Sequence, residues 1–284
     1  MRRLAWATDI HLDFAYVDNY NYFVDSIKSS HVDALLLTGD ISNGVCINGH
    51  LRELQRQLDL PIYFNLGNHD FYGKSIAEIR QWAKGVTKQK VPLYWLGAMT
   101  TVPLADRISL VGIDGWGDGQ LGNAATSSVL LNDWDKILEF SIAHAIDDRA
   151  ARMRILQKLS QADAHRLDSI LTQAMSDCDQ MLIMTHVPPW REATWHRGEH
   201  SDDDWLPWFS CKAVGDVISA QFAKHETKHA TVLCGHTHGS GASRISPQIE
   251  TLTGHAIYRS PELQMVLSIQ DGKLIQELNK KDQP

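Results

Sequence analysis

Apolar residues in this chain fall in short dense runs separated by amphipathic stretches. Leu4–Ala7 and Ala34–Leu37 are uninterrupted apolar runs, and Pro61–Asn65 is nearly so. Tyr20–Ser29, Leu51–Leu58 and Ser75–Gly85 carry helical spacing instead. This alternation predicts a β-α-β-α-β-α order and an α/β fold with parallel strands. Ile108–Ile113 reads as a further strand. Between about 114 and 177 the texture changes to a helical insertion: a glycine-rich loop over Gly115–Gly122, then helices over Asn132–Ala145 and Asp147–Met175. Strand texture returns at Met181–Thr185 and Ala230–Cys234. Ile257–Tyr258 and Met265–Ile269, the turn Asp271-Gly272 and Leu274–Leu278 read as a closing hairpin. With no repeat, low-complexity tract or linker, a single domain is expected over 1–284.

Composition narrows the function classes. The 284 residues are 43% hydrophobic and 21% charged, enough for a sizeable core. No run approaches the ~18 apolar residues of a spanning helix. Nine prolines and a mean hydropathy of -0.26 exclude a mainly disordered chain. The net charge of -7 argues against a broad basic surface, so neither a stable nucleic-acid partner nor a membrane is expected. A nucleotide substrate stays open, because bound metals supply local positive charge. Cys46, Cys178, Cys211 and Cys234 form no CxxC pair, and MRRLAWATDIHL holds no signal-peptide run. Both features predict a cytoplasmic protein with reduced thiols.

Five polar clusters follow the apolar runs: Asp9-Ile10-His11, Gly39-Asp40, Gly67-Asn68-His69-Asp70, His186, and Gly235-His236-Thr237-His238. Open α/β sheets place ligands at such strand ends. Imidazole and carboxylate together suit divalent transition metals. The glycines at 39, 67 and 235 are expected to let the backbone turn tightly behind each ligand. A Gly-Asn-His-Asp tetrapeptide arises by chance in roughly one chain in a thousand of this length, and all five clusters in order far less often.

In these five blocks the sequence resembles the calcineurin-like metallophosphoesterases, whose signature runs Asp-x-His, Gly-Asp, Gly-Asn-His-Asp/Glu, His, Gly-His-x-His. The resemblance implies a sandwich of two mixed β-sheets flanked by helices, with a dinuclear metal centre on one rim. It implies one metal on Asp9, His11, Asp40 and His238, and a second on Asp40, Asn68, His186 and His236. The cofactors would be two divalent or trivalent ions: Mn, Fe, Zn or Mg. His69 would be the catalytic histidine and Asp70 its orienting partner. The expected chemistry is hydrolysis of a small phosphodiester or phosphomonoester, nucleotide-like in the first instance. A metal-bridging hydroxide would attack phosphorus, with His69 as imidazolium acid or charge stabiliser. The alternatives are a nuclease and a non-catalytic metal-binding interaction module.

Two departures bear on the substrate. Gly39-Asp40 continues as Ile41-Ser42-Asn43-Gly44, without the Asp-Arg of the family's protein phosphatases, and the third block ends in Asp70, not Glu. A protein phosphatase is therefore disfavoured. Residues 188–212 hold Trp190, Trp195, Trp205 and Trp208, with Arg191, His196, Arg197 and His200. Trp190, Arg191, His196 and Lys212 are the substrate-binding candidates in or beside this loop. The competing reading is that its aromatics anchor a long loop to the core. Asp202-Asp203-Asp204 reads as a solvated turn.

Overall fold

The computed structural model describes residues 3–277. Its first strand shows what the apolar runs do. In β1 (Arg3–Ala7), Leu4 and Trp6 join one hydrophobic cluster and Ala5 and Ala7 another, all four buried. Side chains alternate across a strand, so a run without a polar position belongs to a strand covered on both faces. After α1 (Val17–Ser29), β2 (Ala34–Thr38) repeats the pattern, with Leu36 on one side and Leu35 and Leu37 on the other.

The chain continues with α2 (Ile47–Leu58), β3 (Ile62–Asn65), α3 (Ile76–Thr87), β4 (Leu93–Trp95), β5 (Val102–Ala105) and β6 (Ile108–Gly112). The helical segment follows as α4 (Asp133–Lys136), α5 (Leu138–Ala145) and α6 (Arg149–Ala174). Next come β7 (Gln180–Met184), the small ribbon of β8 (Trp195–His196) and β9 (Glu199–His200), then α7 (Leu206–Phe209) and α8 (Lys212–Ala223). The described part ends with β10 (His229–Cys234), β11 (Gly241–Ser246), β12 (Ile249–Thr253), β13 (Met265–Gln270) and β14 (Lys273–Glu277).

Two six-stranded sheets result, ordered β14-β13-β1-β2-β3-β4 and β11-β12-β10-β7-β6-β5. β1 to β4 are parallel in the first, as are β12, β10, β7 and β6 in the second, and the outer strands run antiparallel. One core layer lies between the sheets, built from Leu4, Trp6, Leu36, Leu182, Leu233 and Leu252 among others. A second packs the outer face of the first sheet against α1, α2 and α3, and a third packs the second sheet against α6 and α8. The fold is a sandwich of two mixed sheets flanked by helices.

Sequence and structure differ in instructive places. The single helix expected over Asn132–Ala145 is two, because Ile137 adopts extended backbone with its side chain fully buried. β4, β5, β11 and β12 carry no clear run in the sequence. β11, GASRIS, alternates exposed and half-buried positions at a sheet edge. The closing hairpin forms through Asp271 and Gly272, both at positive φ (50° and 71°) as a tight two-residue turn requires. Leu278, the expected last residue of that hairpin, lies outside the described residues, as do Met1 and Arg2.

Register brings the strand ends level. Ala7 pairs with Leu37 and Leu37 with Phe64, while Met184 pairs with Leu233. The residues that follow these strands therefore emerge on one rim. Phe64, fully buried between sheet and helices, tests this scaffold. Phe64→Ala is expected to lower the unfolding free energy in urea by about 3–5 kcal/mol. A loss below ~1 kcal/mol would show that this layer is not close-packed.

Candidate metal centre

The rim is held in a conformation that L-residues rarely adopt. Asp9, His11, Asp40, His236 and His238 have φ of 49°, 38°, 50°, 69° and 59°. Such strain persists only where the surroundings over-determine it. Here hydrogen bonds continue between the β1 and β2 extensions: Asp9 N–H to Gly39 O (3.1 Å), His11 N–H to Asp40 O (3.0 Å) and Leu12 N–H to Ile41 O (2.8 Å). In the second sheet, the β7 and β10 extensions are joined in the same way, Gly235 N–H donating to His186 O (2.9 Å). The backbone turns at Gly67, whose carbonyl accepts Asp70 N–H (3.2 Å), and at Gly235, whose carbonyl accepts Thr237 N–H (2.8 Å), and both glycines also let side chains approach closely. A Cβ on Gly67 would lie 2.2 Å from Asp40 Oδ1, and one on Gly235 would lie 2.0 Å from Asp9 Oδ2. Gly39, at φ 91°, makes the expected turn as well.

Four acceptor atoms converge on one side of Asp40. His186 Nε2 lies 3.4 Å from Asp40 Oδ1, 3.2 Å from Asn68 Oδ1 and 3.2 Å from His236 Nδ1. Their donor hydrogens are directed elsewhere. His186 Nδ1–H donates to Thr38 O at 2.8 Å, and His236 Nε2–H donates to Trp208 O at 3.3 Å. Asn68 Nδ2 donates to Asp133 Oδ1 at 2.8 Å and Tyr72 Oη at 3.3 Å. Four lone pairs thus face one another, an arrangement that suits a cation and nothing neutral.

Asp40's other oxygen faces a second set. Asp9, His11, Asp40 and His238 offer ligand atoms all within 4.8 Å of one another, as do Asp40, His186 and His236. His11 Nε2 lies 3.3 Å from His238 Nε2 and 3.9 Å from Asp40 Oδ2, and His238 Nε2 lies 3.5 Å from Asp9 Oδ1. The mixed N/O donor set fits two divalent metals sharing Asp40.

Burial sets the charge states. It drives His11 and His236 down to about 3 and lowers His186, leaving neutral imidazoles with free lone pairs, the form a metal needs. Burial, then the charges of Asp9 and Asp70, pushes Asp40 well above the usual carboxylate range. Cations at both of its oxygens would reverse that. Asp9 is held well below the usual range: burial opposes its charge, but the hydrogen bond to His238 and the neighbouring imidazoles outweigh it.

The family model for the calcineurin-like phosphoesterases matches residues 2–240. The chain belongs to that family. As a metallophosphoesterase it is a phosphoester hydrolase, and the buried Asp/His cluster is its candidate dinuclear metal site. No curated protein sequence matches the chain. Among solved structures it resembles a dimetal phosphatase from Danio rerio, at 14% identity and TM-score 0.62, over 97% of this chain and 95% of that one. It also resembles phosphopantetheinyl hydrolase from Mycobacterium tuberculosis, at 13% identity and TM-score 0.59, over 99% and 98% of the two chains. A third likeness is to GAP50, the anchor in the inner membrane complex of Plasmodium, at 12% identity and TM-score 0.53, over 97% and 83%. At these identities the likeness is one of fold. Among the described residues of this metallophosphoesterase, no helix is long and apolar enough to cross a membrane.

The expected pairing of Asp70 with His69 does not form. Asp70 Oδ1 accepts the N–H groups of Ile41 and Ser42, each at 2.9 Å, and Oδ2 accepts Gly67 N–H at 2.8 Å. Asp70 therefore clamps the loops after β2 and β3 together. Burial pushes it up to about 8 against those three amides. Tyr72 holds the His69 ring instead, stacked at 4.3 Å and 29°, with His11 at 4.5 Å on an inclined plane.

The loop over 188–212 mostly anchors itself. Trp190 Nε1 donates to Ser219 Oγ (3.2 Å), and buried Trp208 donates to Ser127 Oγ (2.9 Å). Arg191 pairs with Asp203 at 2.6 Å and Lys212 with Asp216 at 2.5 Å, so both cations are engaged on the surface. Of the four substrate-binding candidates, His196 comes nearest the ligand loops: its Nδ1–H donates to Thr237 O at 2.8 Å. The loop also sets Phe209 edge-on to His236, ring centres 5.0 Å apart. The acidic triplet is a turn, with Asp202 Oδ1 accepting the N–H groups of Asp204 and Trp205.

Sequence reasoning missed Asp114 and Asp133. Asp114 takes Leu66 N–H (3.0 Å) and Trp95 Nε1–H (2.8 Å) on Oδ1 and Arg80 on Oδ2 (3.0 Å), while its carbonyl takes His186 N–H (2.7 Å). It thus ties the Asn68 and His186 loops together. Asp114 directly follows a strand, the same signal that marked the ligands. Asp133, 65 positions from Asn68, left no local signal.

Two outcomes follow for the metals. Asp133→Ala is expected to weaken metal binding about 10–100-fold, read by titration calorimetry, because the Asn68 amide loses its orienting acceptor. Unchanged affinity would remove Asp133 from the centre. Chelation should lower the melting temperature and added Mn restore it. A ligand at a thousand times its Kd stabilises by about 4 kcal/mol, and an identical melting curve in EDTA would show that nothing bound there.

Proposed function

We propose that this metallophosphoesterase hydrolyses small phosphodiesters or phosphomonoesters of nucleotide-like size. In this reading Asp9, His11, Asp40 and His238 hold one metal, and Asp40, Asn68, His186 and His236 hold the other. The observation that carries it is the convergence of lone pairs on both sides of Asp40. When bound, the two cations supply Lewis acidity that clamps phosphoryl oxygens and acidifies water. Mn, Fe, Zn and Mg all suit the donor set.

The chain's own residues supply the rest. Burial and the neighbouring His11 ring hold His69 down to about 2, which favours a neutral imidazole with one N–H to offer. Its ring makes no hydrogen bond among the described residues, and Nε2 lies 3.9 Å from Asp40 Oδ2. An N–H there can donate to a phosphoryl or leaving oxygen. Tyr72 fixes the ring plane, and Asp70 fixes the loop that carries it. A fold kept only for docking would not need the whole ligand set, and here every ligand is present.

The test uses Mn-loaded protein with bis-p-nitrophenyl phosphate and p-nitrophenyl phosphate, whose relative rates separate diester from monoester preference. Asp40→Ala is expected to lose both metals and turnover. His69→Ala should keep its metals and lower kcat by about 10²–10⁴. Full metal content in Asp40→Ala, or wild-type turnover in His69→Ala, would overturn the assignment.

A further inference from the structure

An aromatic surface borders the ligands of the first metal position, and the catalytic reading above does not use it. Tyr258 stacks on His11 with ring centres 4.6 Å apart and planes at 30°, and meets His238 edge-on at 5.2 Å. Phe14 meets Tyr258 edge-on at 5.5 Å. Both rings nevertheless remain 45% exposed. Packing against His11 thus accounts for part of the Tyr258 ring and leaves a flat apolar surface in solvent at the mouth of the site.

The segment that presents Tyr258 is built, not loose. The next residue, Arg259, sits at φ 74°, in the left-handed region. Its carbonyl accepts Tyr16 N–H at 3.2 Å and Asn19 Nδ2–H at 3.0 Å. Its guanidinium donates to Tyr16 Oη at 2.6 Å and lies 5.3 Å from the centre of that ring. Ile257 and Ser260 close the turn with an isolated bridge. Contacts to the start of α1 thus hold a strained backbone that keeps Tyr258 over His11.

Position gives this surface a side of the reaction. His69, the hydrogen-bond donor to the leaving oxygen in the proposed chemistry, has its ring centre 6.2 Å from that of Tyr258. A leaving oxygen within reach of His69 places its substituent toward Tyr258 and Phe14. We propose that Tyr258 and Phe14 form a binding subsite for a flat ring on the departing group, so that the favoured substrates are nucleoside phosphoesters. The inference rests on the phosphoesterase reading. A base packs against the exposed parts of Tyr258 and Phe14, as bases stack on aromatic side chains with little regard to sequence.

Equilibrium binding tests this apart from turnover. Titration calorimetry on Mn-loaded His69→Ala protein, in which hydrolysis is slowed and the metals are kept, compares AMP with ribose 5-phosphate, which has the phosphate and sugar but no base. AMP is expected to bind roughly 5–100-fold tighter, the range of one base–aromatic stack. Tyr258→Leu and Phe14→Leu should pull that ratio toward one while ribose 5-phosphate still binds. Tyr258→Phe, which keeps the ring, should preserve it. Equal affinities with both rings present, or a ratio that survives the double leucine variant, overturns the subsite. If bis-p-nitrophenyl phosphate is hydrolysed while AMP shows no advantage, only the subsite fails. If neither ligand binds and no ester is hydrolysed, the phosphoesterase reading fails with it.

Discussion

Everything in this molecule turns on holding like against like. Around Asp40, carboxylate oxygens, an amide oxygen and imidazole nitrogens approach to between 3.2 and 3.9 Å with their lone pairs directed inward. In water such groups would separate. Here they are packed in the interior, and the hydrogens of His186, His236 and Asn68 are bound to Thr38, Trp208 and Asp133 on the far side. The protein must supply the work of bringing them together, and cations held by these residues would turn that work into affinity.

The sandwich supplies that work through its parallel strands. Four parallel strands in each sheet bring their ends to one rim, so ligands from β1, β2, β3, β7 and β10 meet without any strand carrying more than one cluster. Between the strand ends the structure relies on carboxylates that touch no expected ligand position. Asp70 joins the loops after β2 and β3, and Asp114 joins the loop after β3 to that after β7 across the two sheets. Arg80 and Asp163 extend the second clamp, since Arg80 bridges both carboxylates and Asp163 takes Gly115 N–H at 3.1 Å. These buried networks rigidify because each member is satisfied. The left-handed backbone at five ligands is the counterpart of that rigidity.

What could be read from the sequence divides along a physical line. Buried parallel strands are continuous apolar runs, and ligands placed just beyond them form short motifs, so β1, β2, β3, β7 and β10 and the ligand positions were visible together. Edge strands such as β4, of three residues, and β11 lack that double burial and leave no run. Roles set by contacts across the fold were invisible or misread. Asp70 lies beside His69 in sequence, yet its oxygens face the amides of residues 28 and 29 positions earlier and of Gly67. Tryptophans in the loop over 188–212 suggested a wall for substrate, but their indole N–H groups find hydroxyls of Ser219, Ser243 and Ser127, which sequence proximity does not reveal. Tyr258, 247 positions from His11, reaches it only because the sheets close.

The same contacts bear on how this chain would choose a substrate. A phosphoryl group needs positive charge around it, and the cations that the sequence offered for it are already engaged. Arg191 and Lys212 are paired with Asp203 and Asp216, and Arg80 lies between two buried aspartates. The Asp-Arg continuation of the Gly-Asp block is absent from the sequence. In the proposed reading, charge recognition would fall largely to the metals, which would treat phosphoesters alike. Discrimination must then come from the surfaces flanking them. Those are aromatic: Tyr258 and Phe14 border His11, and Phe209 borders His236, with Trp205 packed at 4.9 Å behind it. A site with generic charge recognition and aromatic borders sorts its ligands by the shape of what the phosphate carries.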